Sequence, residues 1–133
     1  MSARHVLVAA VVVVVAAAVA AGIVLIGPPG EERTRRLDER RVQDLRQISW
    51  STYLYHTRHQ RLPASLAALS EEPGLTFESR DPVTDETYGY SVLEPARYQL
   101  CAVFDRESTE GRSDFWSHGE GRQCYTLKAD EKR

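Results

Sequence analysis

The chain has 133 residues, and once a membrane-crossing segment of about 20 residues is set aside the remainder suits one small domain and excludes a second full one. With 42% apolar and 27% charged residues, 8 Gly and 6 Pro, the composition excludes a mostly disordered protein. Residues 31–61 hold eight arginines against five acids, whereas residues 62–133 hold eight basic and fourteen acidic residues. This acidic part argues against a nucleic-acid partner, which would need a clustered basic face.

The first element is an uncharged run from Val6 to Ile26, which follows a short tail at residues 1–5. As a helix it spans about 32 Å, enough to cross the hydrocarbon core of a bilayer. Lipid offers no partner for a peptide group, so the run stays helical despite five consecutive valines at 11–15. Residues 27–30, Gly-Pro-Pro-Gly, then break the helix. The pattern predicts a transmembrane helix over 6–26, with the lipid bilayer as a partner.

A cleaved secretory signal is the alternative for the same segment. Arg4 would be its charged lead, residues 6–15 its apolar core and residues 18–20, Ala-Val-Ala, its cleavage site. The apolar stretch continues to Ile26, further than a signal peptide needs, which favours a retained anchor. In both cases the segment directs the chain to a membrane.

Two sequence patterns predict opposite orientations of the chain in the membrane. Six arginines follow the apolar run within residues 33–46 and only Arg4 precedes it, which by the positive-inside rule favours a cytoplasmic C-terminus. Cys101 and Cys124, the two cysteines of the chain, fall in predicted strands, and a disulfide between them would require a compartment outside the cytosol. Two buried free thiols are the alternative, because Cys often simply fills cores. These residues alone leave the orientation open.

Residues 31–61 are predicted to form a long amphipathic helix. Its early turns are nearly all charged and its apolar face starts at Val42, which predicts a solvated stalk followed by turns that pack on a domain. Leu62-Pro63 ends this helix, and residues 64–69 read as a short second one.

Beyond Pro82 the apolar residues alternate, which is typical of strands. Residues 88–92 and 98–104 form a predicted hairpin, and residues 123–127 a third strand after a polar loop. The expected fold class is α+β: the membrane helix continues into an amphipathic helix packed on a small three-stranded antiparallel sheet. Residues 62–128 would form the domain and residues 129–133 a charged tail.

The order of these parts resembles that of type IV pilin-like proteins, particularly the major pseudopilins of type II secretion. Two segments carry the resemblance: residues 61–69, Arg-Leu-Pro-Ala-Ser-Leu-Ala-Ala-Leu, and residues 81–90, Asp-Pro-Val-Thr-Asp-Glu-Thr-Tyr-Gly-Tyr. It implies a pilin-like fold and a domain outside the cytoplasm. It also implies protein partners in a bacterial envelope assembly, including other copies of the chain.

This chain departs from the family at its N-terminus. Family members are cut before a Phe-led apolar helix that carries Glu at its fifth position, and that Glu is implicated in subunit assembly. Here the run opens Arg-His-Val-Leu-Val at residues 4–8 and contains no acid, so neither the cleavage site nor the assembly Glu is present. Without a buried carboxylate the helix lacks a polar contact to set its register against a neighbour. The resemblance therefore supports the fold more than filament formation.

Residue patterns that would indicate catalysis, metal binding or phosphate binding are weak in this sequence. His56 and His59 share a helix face but have no third ligand at matching spacing, and no Gly-x-Ser-x-Gly elbow or phosphate-binding glycine loop occurs. We therefore expect no enzyme activity, no catalytic or metal-binding residue and no cofactor. Resemblance to calcium-binding pseudopilins raises the idea of a calcium site in the polar loop, but solvated acids are favoured because the spacing has no EF-hand register. The acids concerned are Asp105, Glu107, Glu110 and Asp114.

Phe115, Trp116 and His118 lie in the same loop. They are a candidate exposed contact patch, and folding back to cap the core is the alternative. Two function classes follow: a pilin-like component of an envelope assembly in the bacterial inner membrane, with its domain periplasmic or extracellular, or a membrane-tethered module whose loop 105–121 binds a ligand or partner. A domain that is secreted after signal cleavage is a third, less favoured option.

Overall fold

The computed structural model describes residues 2–27, 29–109 and 114–131. The chain divides into two compact units, Met1–Arg33 and Thr34–Arg133. Within the described residues the element order is two long helices, one short helix and three strands. The predicted Gly-Pro break at 27–30 and tail at 129–133 are described only in part, because residues 28, 132 and 133 lie outside those ranges.

The first helix, α1, runs from Ala3 to Ile26 and has no buried residue. Every side chain from Val6 to Ile26 is uncharged, so the helix offers apolar surface on all sides, as expected for a segment solvated by lipid. Gly27 ends it with a backbone φ of 85°, a value that side chains with a Cβ rarely adopt, and its N–H donates to Ile23 O. In length and composition α1 could cross a membrane, and a signal sequence meets the same criteria.

The second helix, α2, runs from Pro29 to His59. Proline suits its first turn, where the missing N–H has no helical partner, and acids at 31 and 32 oppose basic residues at 56, 58 and 59 in agreement with the helix dipole. From Thr34 onward α2 belongs to the second unit. Its buried face follows helical spacing and consists of Asp38, Arg41, Asp44, Leu45, Ile48, Ser49, Ser51 and Thr52.

The start of this buried face differs from the prediction. Charged residues before Val42 were expected to be solvated, yet Asp38 and Arg41 are 4% and 3% exposed. They are buried because they pair with each other and with carboxylates of the domain, which compensates for the loss of water.

A short helix, α3, covers Leu66–Ser70, and the Ser65 Oγ caps it by accepting from Ala68 N. The three strands are β1 (Gly89–Glu94), β2 (Arg97–Phe104) and β3 (Gly121–Lys128), in the order β1-β2-β3 with antiparallel pairing. The predicted α+β class and three-stranded antiparallel sheet are thus confirmed. Residues of α2, α3 and the sheet form one core, with Leu45, Ile48, Leu69, Tyr98 and Leu100 fully buried.

Candidate interaction site

A buried arginine joins three parts of the second unit. Arg41, on α2, donates from Nη1 to Asp38 Oδ1 at 2.7 Å and to Asp105 Oδ2 at 2.6 Å. Its Nε and Nη2 donate to the two carboxylate oxygens of Asp81 at 2.5 and 3.2 Å. The planar guanidinium suits such a fork of carboxylates, because it carries five donors in fixed directions.

Two aspartates of the cluster, Asp38 and Asp81, also accept hydrogen bonds from backbone N–H groups. The Asp38 carboxylate accepts the N–H groups of Asp105 and Arg106, both at 3.0 Å. The Asp81 Oδ1 accepts those of Val83 and Thr84, at 2.8 and 3.0 Å. The cluster therefore links α2 to the turn after Asp81 and to the end of β2. Sequence reasoning missed it, although the helical spacing of residues 38 and 41 was a usable signal.

The electrostatics of the cluster follow from burial and pairing. Burial lowers the pKa of Arg41, but hydrogen bonds to Asp81, Asp105 and Asp38 outweigh it and raise the pKa well above its usual value. Burial raises the pKa of Asp81, but hydrogen bonds from Arg41 and from the backbone of Thr84 and Val83 outweigh it and leave this pKa below its usual value. Both groups are therefore charged at neutral pH.

A second polar contact lies one helical turn further along α2. Tyr88 donates from its hydroxyl to Asp44 Oδ2 at 2.8 Å, and Arg40 Nε donates to Asp44 Oδ1 at 3.3 Å. Burial raises the pKa of Asp44 above its usual range, and the bonds from Tyr88 and Arg40 offset this only in part. Burial and the carboxylate of Asp44 raise the pKa of Tyr88, so its hydroxyl stays a donor.

The two segments that carry the family resemblance contact each other. Tyr90, in the second segment, donates from its hydroxyl to Pro63 O in the first at 2.8 Å. Burial raises the pKa of Tyr90, which keeps this donor protonated. Tyr88, just before β1, thus bonds to α2, and Tyr90, within β1, bonds to the segment between α2 and α3.

A cavity of about 190 Å³ opens beside the Arg41 cluster. Its walls combine charged side chains with part of the sheet near the disulfide, and include Arg41, Asp81, Glu86, Cys101, Asp105 and Arg122. The volume suits a small polar molecule more than a drug-sized one.

Cys101 and Cys124 lie at disulfide distance, 2.07 Å between sulfurs, as directly opposed residues of β2 and β3. The predicted pairing is thus found, and the alternative of two free thiols does not hold in this structure. The bond lies on the sheet face opposite the core, and Cys124 is exposed. Gly89 of β1 lies against it: a Cβ there would come within 2.9 Å of Cys101 Cβ. This position requires glycine for close approach.

The loop residues proposed as a contact patch cap the core. Trp116 and His118 are only 4% and 9% exposed, and Phe115 is half-buried with its ring edge against Trp116. The His118 ring stacks on Phe104 with centroids 3.8 Å apart, and its Nδ1 lies 3.0 Å from Arg106 O. Tyr125 donates to Trp116 O, and burial raises the pKa of Tyr125 to about 12.

Those candidate calcium and metal residues that the structure describes are not brought together. Asp105 pairs with Arg41 and Asp114 with Arg46, Glu107 is exposed, and Glu110 lies outside the described residues. His59 Nε2 lies 3.0 Å from Glu72 Oε2, while His56 is half-buried elsewhere on the helix. Within residues 2–27, 29–109 and 114–131, no three His, Cys, Asp or Glu side chains are grouped to hold a metal ion.

No family model, no curated protein and no solved structure matches this chain.

Proposed function

We propose that the chain is a single-pass, membrane-anchored, non-enzymatic pilin-like protein that acts as a component or accessory of a bacterial envelope assembly or secretion system. The observation that carries the proposal is α1, a 24-residue helix with no charge from Val6 to Ile26 and no buried residue. In water such a helix would expose apolar surface all round, and a bilayer is the solvent that removes this cost.

The second unit supports the pilin-like part of the proposal. Its long helix packs on a three-stranded antiparallel sheet, and the Leu-Pro segment is bonded to the Tyr-x-Tyr segment through Tyr90 and Pro63. The Cys101–Cys124 pair supports a periplasmic or extracellular domain, since disulfides persist outside the reducing cytosol. The displaced pKa values fall on groups engaged in structural pairs, Asp81 with Arg41 and Asp44 with Tyr88, which favours a structural role over catalysis.

The first experiment fractionates cells that express the full-length chain and extracts the membranes with alkaline carbonate. We expect the whole chain, starting at its own N-terminus, in the carbonate-resistant membrane pellet. Recovery of a shortened chain that starts near Ala21 in the soluble fraction would instead identify α1 as a cleaved signal.

The second experiment tests the side of the membrane. An impermeant maleimide is applied to intact spheroplasts before and after reduction, and we expect Cys124 to react only after reduction. A Ser2→Cys variant that lacks Cys101 and Cys124 is the matched control, and its thiol should be labelled only after lysis. The opposite labelling pattern would place the domain in the cytoplasm.

A membrane-tethered binding module is the second candidate, favoured by the polar cavity beside Arg41. This second candidate predicts that the α1 helices of different copies do not associate in membranes. Disulfide scanning with single cysteines along Val6–Ile26 separates the two candidates: crosslinks that recur with helical period support assembly, and their absence supports the tethered binder.

A further inference from the structure

The side of α2 that faces away from the core is formed by residues at alternating spacings of four and three. These positions lie on one side of a helix. We name them the α2 outer stripe: Arg36, Arg40, Gln43, Gln47, Trp50, Leu54 and Thr57. All are exposed except the half-buried Leu54.

Trp50 is the apolar centre of the stripe. Its side chain is 45% exposed, and its ring stacks on Tyr53 with centroids 5.5 Å apart. The stacking already restricts the ring, so binding would cost little additional side-chain conformational entropy. Trp, Tyr and Arg are the residues that most often dominate binding energy at protein interfaces.

The exposed charges of α2 itself are almost all of one sign, and four of its exposed arginines also pair with carboxylates: Arg35 with Glu39, Arg40 with Asp44, Arg46 with Asp114 and Arg58 with Glu72. Between residues 34 and 61 the exposed charged residues are six arginines and one glutamate, because Asp38 and Asp44 are buried. Two outer stripes placed face to face would bring Arg36 and Arg40 close to their own copies, which is repulsive. A contact between two identical stripes is therefore disfavoured.

A complementary surface exists elsewhere on the same chain. Residues 71–94, the acidic segment, carry five exposed acids and one exposed base, Arg80. The acids are Glu71, Glu78, Asp85, Glu86 and Glu94. Val83, Val92 and Leu93 in this segment are also exposed, at 58%, 47% and 51%. In the sequence Val83 lies two residues from Asp85, and Val92 and Leu93 precede Glu94, so this segment offers exposed apolar and acidic side chains to a tryptophan flanked by arginines.

We propose that the α2 outer stripe of one copy docks on the acidic segment of a second copy, with Trp50 as its anchor. This inference rests on the proposed function as an assembly component and identifies its partner and contact surface. The two surfaces differ, so the contact is heterologous, and each copy keeps one surface open for a further copy. The assembly therefore does not need the acidic residue that α1 lacks.

The test uses the full-length chain in its membrane, with the photo-crosslinking residue benzoylphenylalanine in place of Gln47. We expect a light-dependent dimer whose crosslinked peptide maps to residues 71–94. The same photo-crosslinking residue at Thr126, which is exposed on β3, the strand that is not adjacent to β1, is the control and should give no such dimer.

Four substitutions in the Gln47 crosslinking background make the test sharper. Trp50→Ala should lower the dimer yield about tenfold, corresponding to about 1.4 kcal/mol, while Thr126→Ala should leave it unchanged. Gln43→Glu should weaken the dimer, and the matched Gln43→Lys should preserve or strengthen it.

The inference is overturned if a carbonate-resistant chain gives no dimer, or crosslinks only to lipid, to another protein or to a second outer stripe. Such an outcome leaves the membrane anchor intact, because extraction measures the anchor separately. Loss of the chain from the membrane pellet would instead remove the proposed function on which the inference rests.

Discussion

Arg41 and Asp81 form a forked ion pair across 40 residues of sequence, and their side chains are only 3% and 8% exposed. A buried charge that loses its partner is costly, because water cannot replace it. Arg41→Gln should therefore lower the free energy of unfolding by about 3 to 5 kcal/mol.

The measurement is thermal unfolding of the full-length chain in mild detergent, followed by near-UV circular dichroism. Arg46→Gln is the control, since the Arg46–Asp114 bridge is 48% and 39% exposed and such pairs contribute about 0 to 1 kcal/mol. Equal losses in the two variants would contradict a central role for the Arg41 cluster.

Stability should fall in acid, and Asp81 should contribute to the fall. Its pKa in the folded state lies below the ordinary value near 3.8, so its contribution is complete above that value and is lost as pH drops through the folded-state pKa. Melting temperatures from pH 6 to pH 2 should decline less steeply in Asp81→Asn than in the parent chain, although the variant starts lower.

Asp44 should act in the opposite direction. Its folded-state pKa is raised, so the native state takes up a proton before the unfolded chain does, and stability is gained as pH falls through this interval. Asp44→Asn should therefore steepen the acid decline. A shallower decline in this variant would show that burial does not control the ionisation of Asp44.

The two tryptophans should separate folding from association. Trp116 is 4% exposed in the core, and Trp116→Ala should cost about 3 to 5 kcal/mol in unfolding free energy. Trp50→Ala removes a half-exposed ring and should cost under about 1 kcal/mol. Urea unfolding in detergent, below the concentration at which copies associate, measures both. If Trp116→Ala were tolerated, residues 114–118 would not be capping the core.

The disulfide should stabilise mainly through the unfolded chain, since it closes a loop with a sequence separation of 23 on the sheet face away from the core. The double variant Cys101→Ser, Cys124→Ser should lose about 3 kcal/mol yet retain the near-UV spectrum of a packed core. A lost spectrum at a temperature where the parent is folded would indicate that the bond is needed for packing itself.

A side chain at position 89 should destabilise the fold. Gly89→Ala would place a Cβ 2.9 Å from Cys101 Cβ, so we expect a loss of about 1 to 3 kcal/mol. Gly119→Ala is the matched control, because the nearest atom to a Cβ there is the end of the Gln123 side chain at 3.5 Å. Similar unfolding midpoints for the two variants would argue against close packing under the disulfide.

The fold was largely predictable because it rests on apolar periodicity. The uncharged run of α1 and the alternation in residues 98–104 are local signals that need no knowledge of tertiary contacts. The pairing of Cys101 with Cys124 was predicted because they are the two cysteines of the chain and both fall in predicted strands.

The polar part of the structure was not predictable in the same way. Arg41 looks like one more charge in an arginine-rich turn, and its burial depends on Asp81 and Asp105, which lie 40 and 64 residues away. The local sequence likewise could not show that Trp116 is buried while Trp50 is exposed, because a serine follows each of them.

From the position of the disulfide we expect core packing and oxidation to be separate steps. The register of β2 and β3 places the two thiols opposite each other, and neither cysteine belongs to the hydrophobic core cluster. The disulfide can then form after the strands have paired, so an oxidant needs access only to the exposed sheet face that carries Cys124.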